Sequence, residues 1–229
     1  MNKKKSFDVD FEEYLSFIKL NIPNSLFISD TKNKELFLSV NTAFKMSDIL
    51  TDFKFVSNNE TYYNLLIEYK KYFARILPAI SLNDKFLVYS ILRLLTEKLY
   101  RIIIGINYPN RGERRIRSDT RAKMSNDLSK VITSDRKSII DKLYKELSNI
   151  LHHTDKNSVC LYDIRRLFRT DLNIINETCI ITEKLTDIFV EEVFLKKCFE
   201  KKELCGTNLK MKIQNNLSTG TAKRILLQI

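Results

Sequence analysis

The chain has 229 residues, 44% of them hydrophobic and 29% charged, with only four glycines and three prolines. That length and balance describe a soluble globular protein, one domain with an extension or two small domains, and so few turn-formers exclude an all-β fold. A formal net charge of +11 suits an anionic partner such as nucleic acid, although an AT-rich genome produces the same excess of Lys, Asn and Ile without selection for binding.

No run reaches the ~18 apolar residues of a membrane span, and the basic start (residues 1–6) has no apolar signal core. A cytoplasmic location without membrane contact is the expectation. Cys160, Cys179, Cys198 and Cys205 show no C-x-x-C spacing, which favours buried reduced thiols over a zinc site. No Gly-rich phosphate loop, metal-ligand cluster or Ser-His-Asp arrangement stands out, so neither cofactor nor metal is expected.

In chain order, residues 1–59 read as an N-terminal extension, 60–204 as a helical bundle and 205–229 as a tail. Residues 11–20 fit an amphipathic helix stopped around Pro23. Residues 26–28 and 36–40 resemble strands and form either a small hairpin or extra helical turns. Tyr63, Leu66, Ile67, Phe73, Ile76 and Leu77 mark a helix ended by Pro78. Ser81 opens the next helix, its spacing to Asp84 resembling a capping box. Residues 86–104 are apolar nearly all round, as in a helix buried on several sides, except for the row Arg93, Glu97 and Arg101 at i, i+4 and i+8. Charges on so apolar a helix need either ion-pair partners or a solvated cleft.

Residues 107–131 read as a loop. Within it, Arg111, Arg114, Arg115, Arg117, Arg121 and Lys123 crowd into residues 111–123 against only Glu113 and Asp119. Such a run is a solvated segment or, beside the histidine-bearing helix that follows, a phosphate-binding one.

The stretch 133–155 organises the chain. Ser134 or Asp135 can cap its helix. Ile139, Ile140, Leu143, Tyr144, Leu147, Ile150 and Leu151 cover an arc of roughly 140°, the face of a core helix. Tyr144, Ser148 and His152 run along one edge of that arc; Glu146, Asn149 and His153 run along the other. These are the only two histidines in the protein. A histidine at the rim of a buried face can touch core and solvent, where titrating chemistry is done; the alternative is that the pair simply ends a helix.

After a turn at 154–158, apolar positions from Leu161 to Phe194 mark one long or kinked helical segment reaching about residue 203. Arg165, Arg166 and Arg169 lie in its first turns, toward the basic loop. Residues 206–216 are polar, and the apolar end at 225–229 is either tucked on the core or used to hold a partner.

Residues 81–201 resemble the HEPN superfamily of small α-helical, mostly RNA-directed proteins. The resemblance rests on Leu92-Arg93-Leu-Leu-Thr-Glu97, the polar loop, the helix ending Tyr144-Lys-Glu-Leu-Ser-Asn-Ile-Leu-His152, and the long closing helix. It implies an all-α, HEPN-like helical bundle with RNA as partner. Members are often metal-independent endoribonucleases of phage-defence, toxin and CRISPR-associated systems, and they commonly pair so that two copies of an Arg-x4-6-His motif meet. The present sequence departs from the motif. Counting back from His152 gives Leu147, Glu146 and Lys145, and from His153 it gives Ser148, Leu147 and Glu146. Lys145 keeps the charge at the longest spacing but lacks the arginine fork.

The resemblance thus implies a site of His152 or His153 as base, with Lys145, Arg93 and Glu97 beside it. Arg111, Arg114, Arg115, Arg117, Arg121, Arg165 and Arg166 are its expected RNA contacts, and a homodimer is its expected assembly. Two further readings stand next to an RNA-binding or RNA-cleaving protein. One is a non-catalytic HEPN-like subunit that docks a protein partner of a defence or toxin–antitoxin complex; the other is a basic nucleic-acid-binding protein unrelated to HEPN.

Overall fold

In the computed structural model the described residues are 6–52, 60–108, 118–152, 173–196, 206–217 and 219–228, and among them the secondary structure is helical without a strand. The elements are α1 (Ser6–Asn21), a 3-10 turn (Leu26–Ile28), α2 (Asn33–Thr51), α3 (Glu60–Ser81), α4 (Lys85–Asn107), α5 (Ser118–Ser129), α6 (Ser134–His152), α7 (Ile174–Phe189), a π turn continuing it (Val190–Leu195), α8 (Thr207–Asn216) and α9 (Thr219–Leu226). The all-α expectation holds.

Local chemistry places the helix ends. Pro78 does not stop α3, which runs on to Ser81: proline lacks a donor, but its carbonyl still accepts from the Leu82 amide at 3.1 Å. The turn comes instead at Asn83, whose φ of 56° is left-handed. Asn tolerates that region better than most residues, and its Oδ1 accepts from the Leu26 amide at 3.1 Å, tying the 3-10 turn to the α3–α4 corner. Asp84, not Ser81, caps α4: its Oδ1 accepts from the Leu87 amide at 2.9 Å.

The two strand-like stretches are helical. Residues 26–28 form the 3-10 turn, and 36–40 lie inside α2, where Leu36, Phe37, Val40, Ala43 and Met46 recur at helical spacing and are buried. Short apolar runs do not reveal their period, and packing of α2 against α3 and α7 decides it here.

Helix α4 is the hub, packed against α3, α5, α6 and α7. Every residue from Leu99 to Gly105 is buried, Arg101 included, as a helix packed on several sides requires. Tyr69 of α3 stacks on Phe189 of α7 at 5.0 Å between ring centroids and meets Phe73 edge-on at 4.9 Å.

On α6, Ile140, Leu143, Tyr144 and Leu147 are buried against α4 and α7, whereas Ile139 and Ile150 are 37% and 39% exposed. The buried face is therefore narrower than the apolar arc. Residues 107–131 are not all loop: α5 occupies 118–129, a polar helix that buries Met124 and Leu128 and is tied to α6 by Ser125 Oγ on Asp141 at 3.3 Å. A helix polar nearly all round carries little periodic signal, so docking on α4 and α6 supplies what periodicity cannot show.

At the π turn, Glu192 is 1% exposed and is paired with Arg136 of α6 and with Lys196, which also donates to the Val131 carbonyl at 2.7 Å. Toward the C-terminus, α8 and α9 pack on the core through Leu209, Ile213, Ala222 and Ile225, whereas Leu227 is 78% exposed and Ile229 lies outside the described residues. No described helix is long and apolar enough to cross a membrane. The turn expected at 154–158, the helical start at 161–172 and Cys160, Cys198 and Cys205 lie outside the described residues; Cys179 is a buried free thiol.

Candidate functional site

The charged row of α4 meets the edge row of α6. Capping at Asp84 fixes the register of α4, and the buried side of α6 turns Tyr144 and Ser148 toward it. Arg93 reaches across: its Nε donates to Ser148 Oγ at 3.3 Å and an Nη donates to the Tyr144 hydroxyl at 3.1 Å. The guanidinium also lies 5.3 Å from the centroid of the Tyr144 ring. One turn on, the Glu97 carboxylate stands 3.9 Å from the other Nη and is only 12% exposed. A weak ion pair at that distance still matters to Glu97, because a carboxylate so covered needs a cation close by.

These contacts engage all three guanidinium nitrogens, Nε and both Nη, but not every N–H group. A quarter of the Arg93 side chain remains exposed, so an anion arriving from solvent could take its remaining N–H groups. Chemically the cluster is a cation fixed by two hydroxyls and one carboxylate: it can bind and orient a phosphate oxygen and stabilise charge that builds there.

His152 is the last residue of α6, one turn beyond Ser148 in the same row; its backbone is described and its side chain is not. His153, Arg111, Arg114, Arg115, Arg117, Arg165 and Arg166 lie outside the described residues, and Arg121 falls within α5 with its side chain outside them. Lys145 is exposed, next in sequence to Tyr144 and so about 100° round the helix from it. The third member of the α4 row, Arg101, is 9% exposed and lies in the fully buried part of that helix.

The structure thus joins Arg93 and Glu97 to the α6 row. It adds Tyr144 and Ser148 as Arg93's partners, two members of the α6 edge row that stand outside the expected site residues. The signal was the matched spacing of the two rows; no local pattern reports which two rows touch.

Beside this cluster, Tyr89, Leu143, Leu147, Ile150, Ile180 and Ile181 line an apolar groove of about 470 Å³ between α4, α6 and α7. The Tyr89 hydroxyl donates to Glu177 at its edge. Compared with protein-family models, with curated proteins and with solved structures, the chain matches none.

Proposed function

We propose that the chain is an HEPN-like RNA-binding protein, and that the histidine end of α6 makes it a metal-independent endoribonuclease of a phage-defence or toxin system. The observation that supports this most is the reach of Arg93 to Tyr144 and Ser148. It brings a forked cation beside the row that ends in His152, where the sequence has no arginine at the motif spacing. In this reading His152 takes the proton of the ribose 2′-hydroxyl, with His153 as the alternative base. Arg93 and Lys145 supply positive charge for the phosphate, and Glu97 holds Arg93 in place.

Purified chain incubated with structured and single-stranded RNAs tests the proposal. His152→Ala should lower cleavage by about 100-fold, the usual worth of a positioned acid or base, and activity should persist in EDTA. A wild-type protein that leaves every RNA intact, alone and with the products of its neighbouring genes, rules the enzyme out.

The apolar groove favours a second reading, a non-catalytic subunit of a defence or toxin–antitoxin complex. Ile150 and Ile180 at that groove are 39% and 43% exposed, which suits a docked protein surface better than RNA. Under this reading the wild type cleaves nothing, and substitutions at Ile150 and Ile180 abolish assembly with the partner.

A further inference from the structure

The Arg93 cluster has a neighbour on its own helix. Phe86 lies in the first turn of α4, two turns before Arg93, and points within about 20° of the same direction. The two positions are about 10 Å apart along the helix axis.

The surrounding helices put Phe86 at the open end of the site. Arg136, near the start of α6, pairs with Glu192 just beyond α7, whereas Ile150, near the end of α6, shares the apolar groove with Glu177 and Ile180 in the first half of α7. Helices α6 and α7 therefore run antiparallel. Glu177 also accepts from Tyr89 in the second turn of α4, so α4 begins beside the start of α7 and the end of α6. Moving along α4 from Arg93 to Phe86 is thus moving along α6 from Ser148 toward His152.

Only two phenylalanines are exposed among the described residues, and Phe86, at 57%, is one of them. Its ring meets no other ring among the described residues. With Asp84 as the cap, Phe86 is the second helical residue, so it is neither end of a hydrophobic staple, which joins the residue before the cap to the fourth. One exposed apolar side chain needs no explanation by itself. What sets Phe86 apart is its place: an uncovered flat ring on the same face as a cation that keeps N–H groups open to solvent.

We propose that Phe86 is a base-stacking residue: when a phosphate of single-stranded RNA sits on Arg93, the base of an adjoining nucleotide lies on the Phe86 ring. The inference rests on the RNA-binding function proposed above and names the form of RNA that this site takes. Stacking accepts any base, because each has a π face, whereas bases in a duplex are already stacked on one another and do not reach the ring. The site therefore selects unpaired over paired RNA and not one sequence over another.

The chain has no tryptophan, so Phe86→Trp places a single fluorescent reporter at this position. The probe is a 2′-O-methyl oligoadenosine of about ten nucleotides, whose blocked 2′-oxygen prevents cleavage during the measurement. Its binding should quench the tryptophan. Phe86→Ala should weaken binding at least ~5-fold, Phe86→Tyr should keep it, and Phe86→Leu should not. A strand of the same length without bases should bind wild type and Phe86→Ala alike. The side chain is exposed, so these variants fold. Equal binding of the oligoadenosine by wild type and Phe86→Ala, full binding by Phe86→Leu, an alanine effect as large on the baseless strand, or an unquenched tryptophan in the bound complex overturns the stacking alone. A wild type that binds no single strand overturns the RNA-binding function and this inference together.

Discussion

Replacing Arg93 by Met keeps the side chain's apolar stem and removes its charge, which isolates what the guanidinium does between α4 and α6. Two charge-assisted hydrogen bonds are lost, to hydroxyls at 3.1 and 3.3 Å. At these lengths, and with a quarter of the side chain in water, each is worth about 0.5–1 kcal/mol, below the full value of a buried charged bond. The ring contact with Tyr144 adds about 0.5 kcal/mol. Glu97, 12% exposed, is then left without its cation, which costs about 1 kcal/mol more. Regained hydration and packing by Met offset part of this, for a net loss of ~2 kcal/mol. Urea unfolding followed by circular dichroism measures it directly, and a thermal scan should show a Tm about 4–8 °C lower for a chain of this size. The double variant Arg93→Met with Glu97→Gln should recover about 1 kcal/mol, since a neutral amide needs no cation. A loss under ~0.5 kcal/mol, or a double variant no more stable than Arg93→Met alone, refutes the reasoning.

Under the proposed RNA-binding function, changing Arg114, Arg115 and Arg117 together to Ala should weaken RNA binding and flatten its salt dependence, because fewer counterions are released; equal affinity and slope would leave that stretch a solvated segment. The Tyr69 hydroxyl is buried without a hydrogen-bond partner among the described residues, so Tyr69→Phe should raise stability by ~1 kcal/mol in urea titration, and a loss of stability would mean the hydroxyl is satisfied. The Cys179 thiol is raised from 9.0 to about 12 by burial and by Glu183, while Tyr14 is raised from 10.0 to about 12 by burial. As pH climbs from 9 toward 12 the unfolded chain loses these protons and the folded one keeps them, so stability should fall across that window. Cys179→Ala should make the decline shallower, and an unchanged slope between wild type and variant would contradict the assignment.

Much of this was legible in the sequence because it is written in local period. The mostly apolar stretch 86–104 lies in the hub helix, and the buried side of α6 lies within its predicted arc. The rows Arg93–Glu97 and Tyr144–Ser148 were visible as spacings. Where the signal is not periodic, reading failed for identifiable reasons. Residues 36–40 are too short an apolar run to distinguish strand from helix, and α5 is too polar to announce itself. Pro78 reads as a stop, yet α3 continues for three residues beyond it, because packing outweighs the one backbone hydrogen bond that proline removes.

What the sequence alone determined, then, is which residues share a helix face, since 3.6 residues per turn fixes that within any one segment. Which faces meet is a different quantity. Arg93 and Ser148 stand 55 positions apart, and the pairing of α4 with α6 follows from burying both helices in one core. The meeting of Glu35 with Cys179 and Glu183 likewise needs α2 to dock on α7. Those contacts depend on the packing of the whole chain, because hydrophobic burial is non-directional and only close packing of every helix at once sets the register between any two.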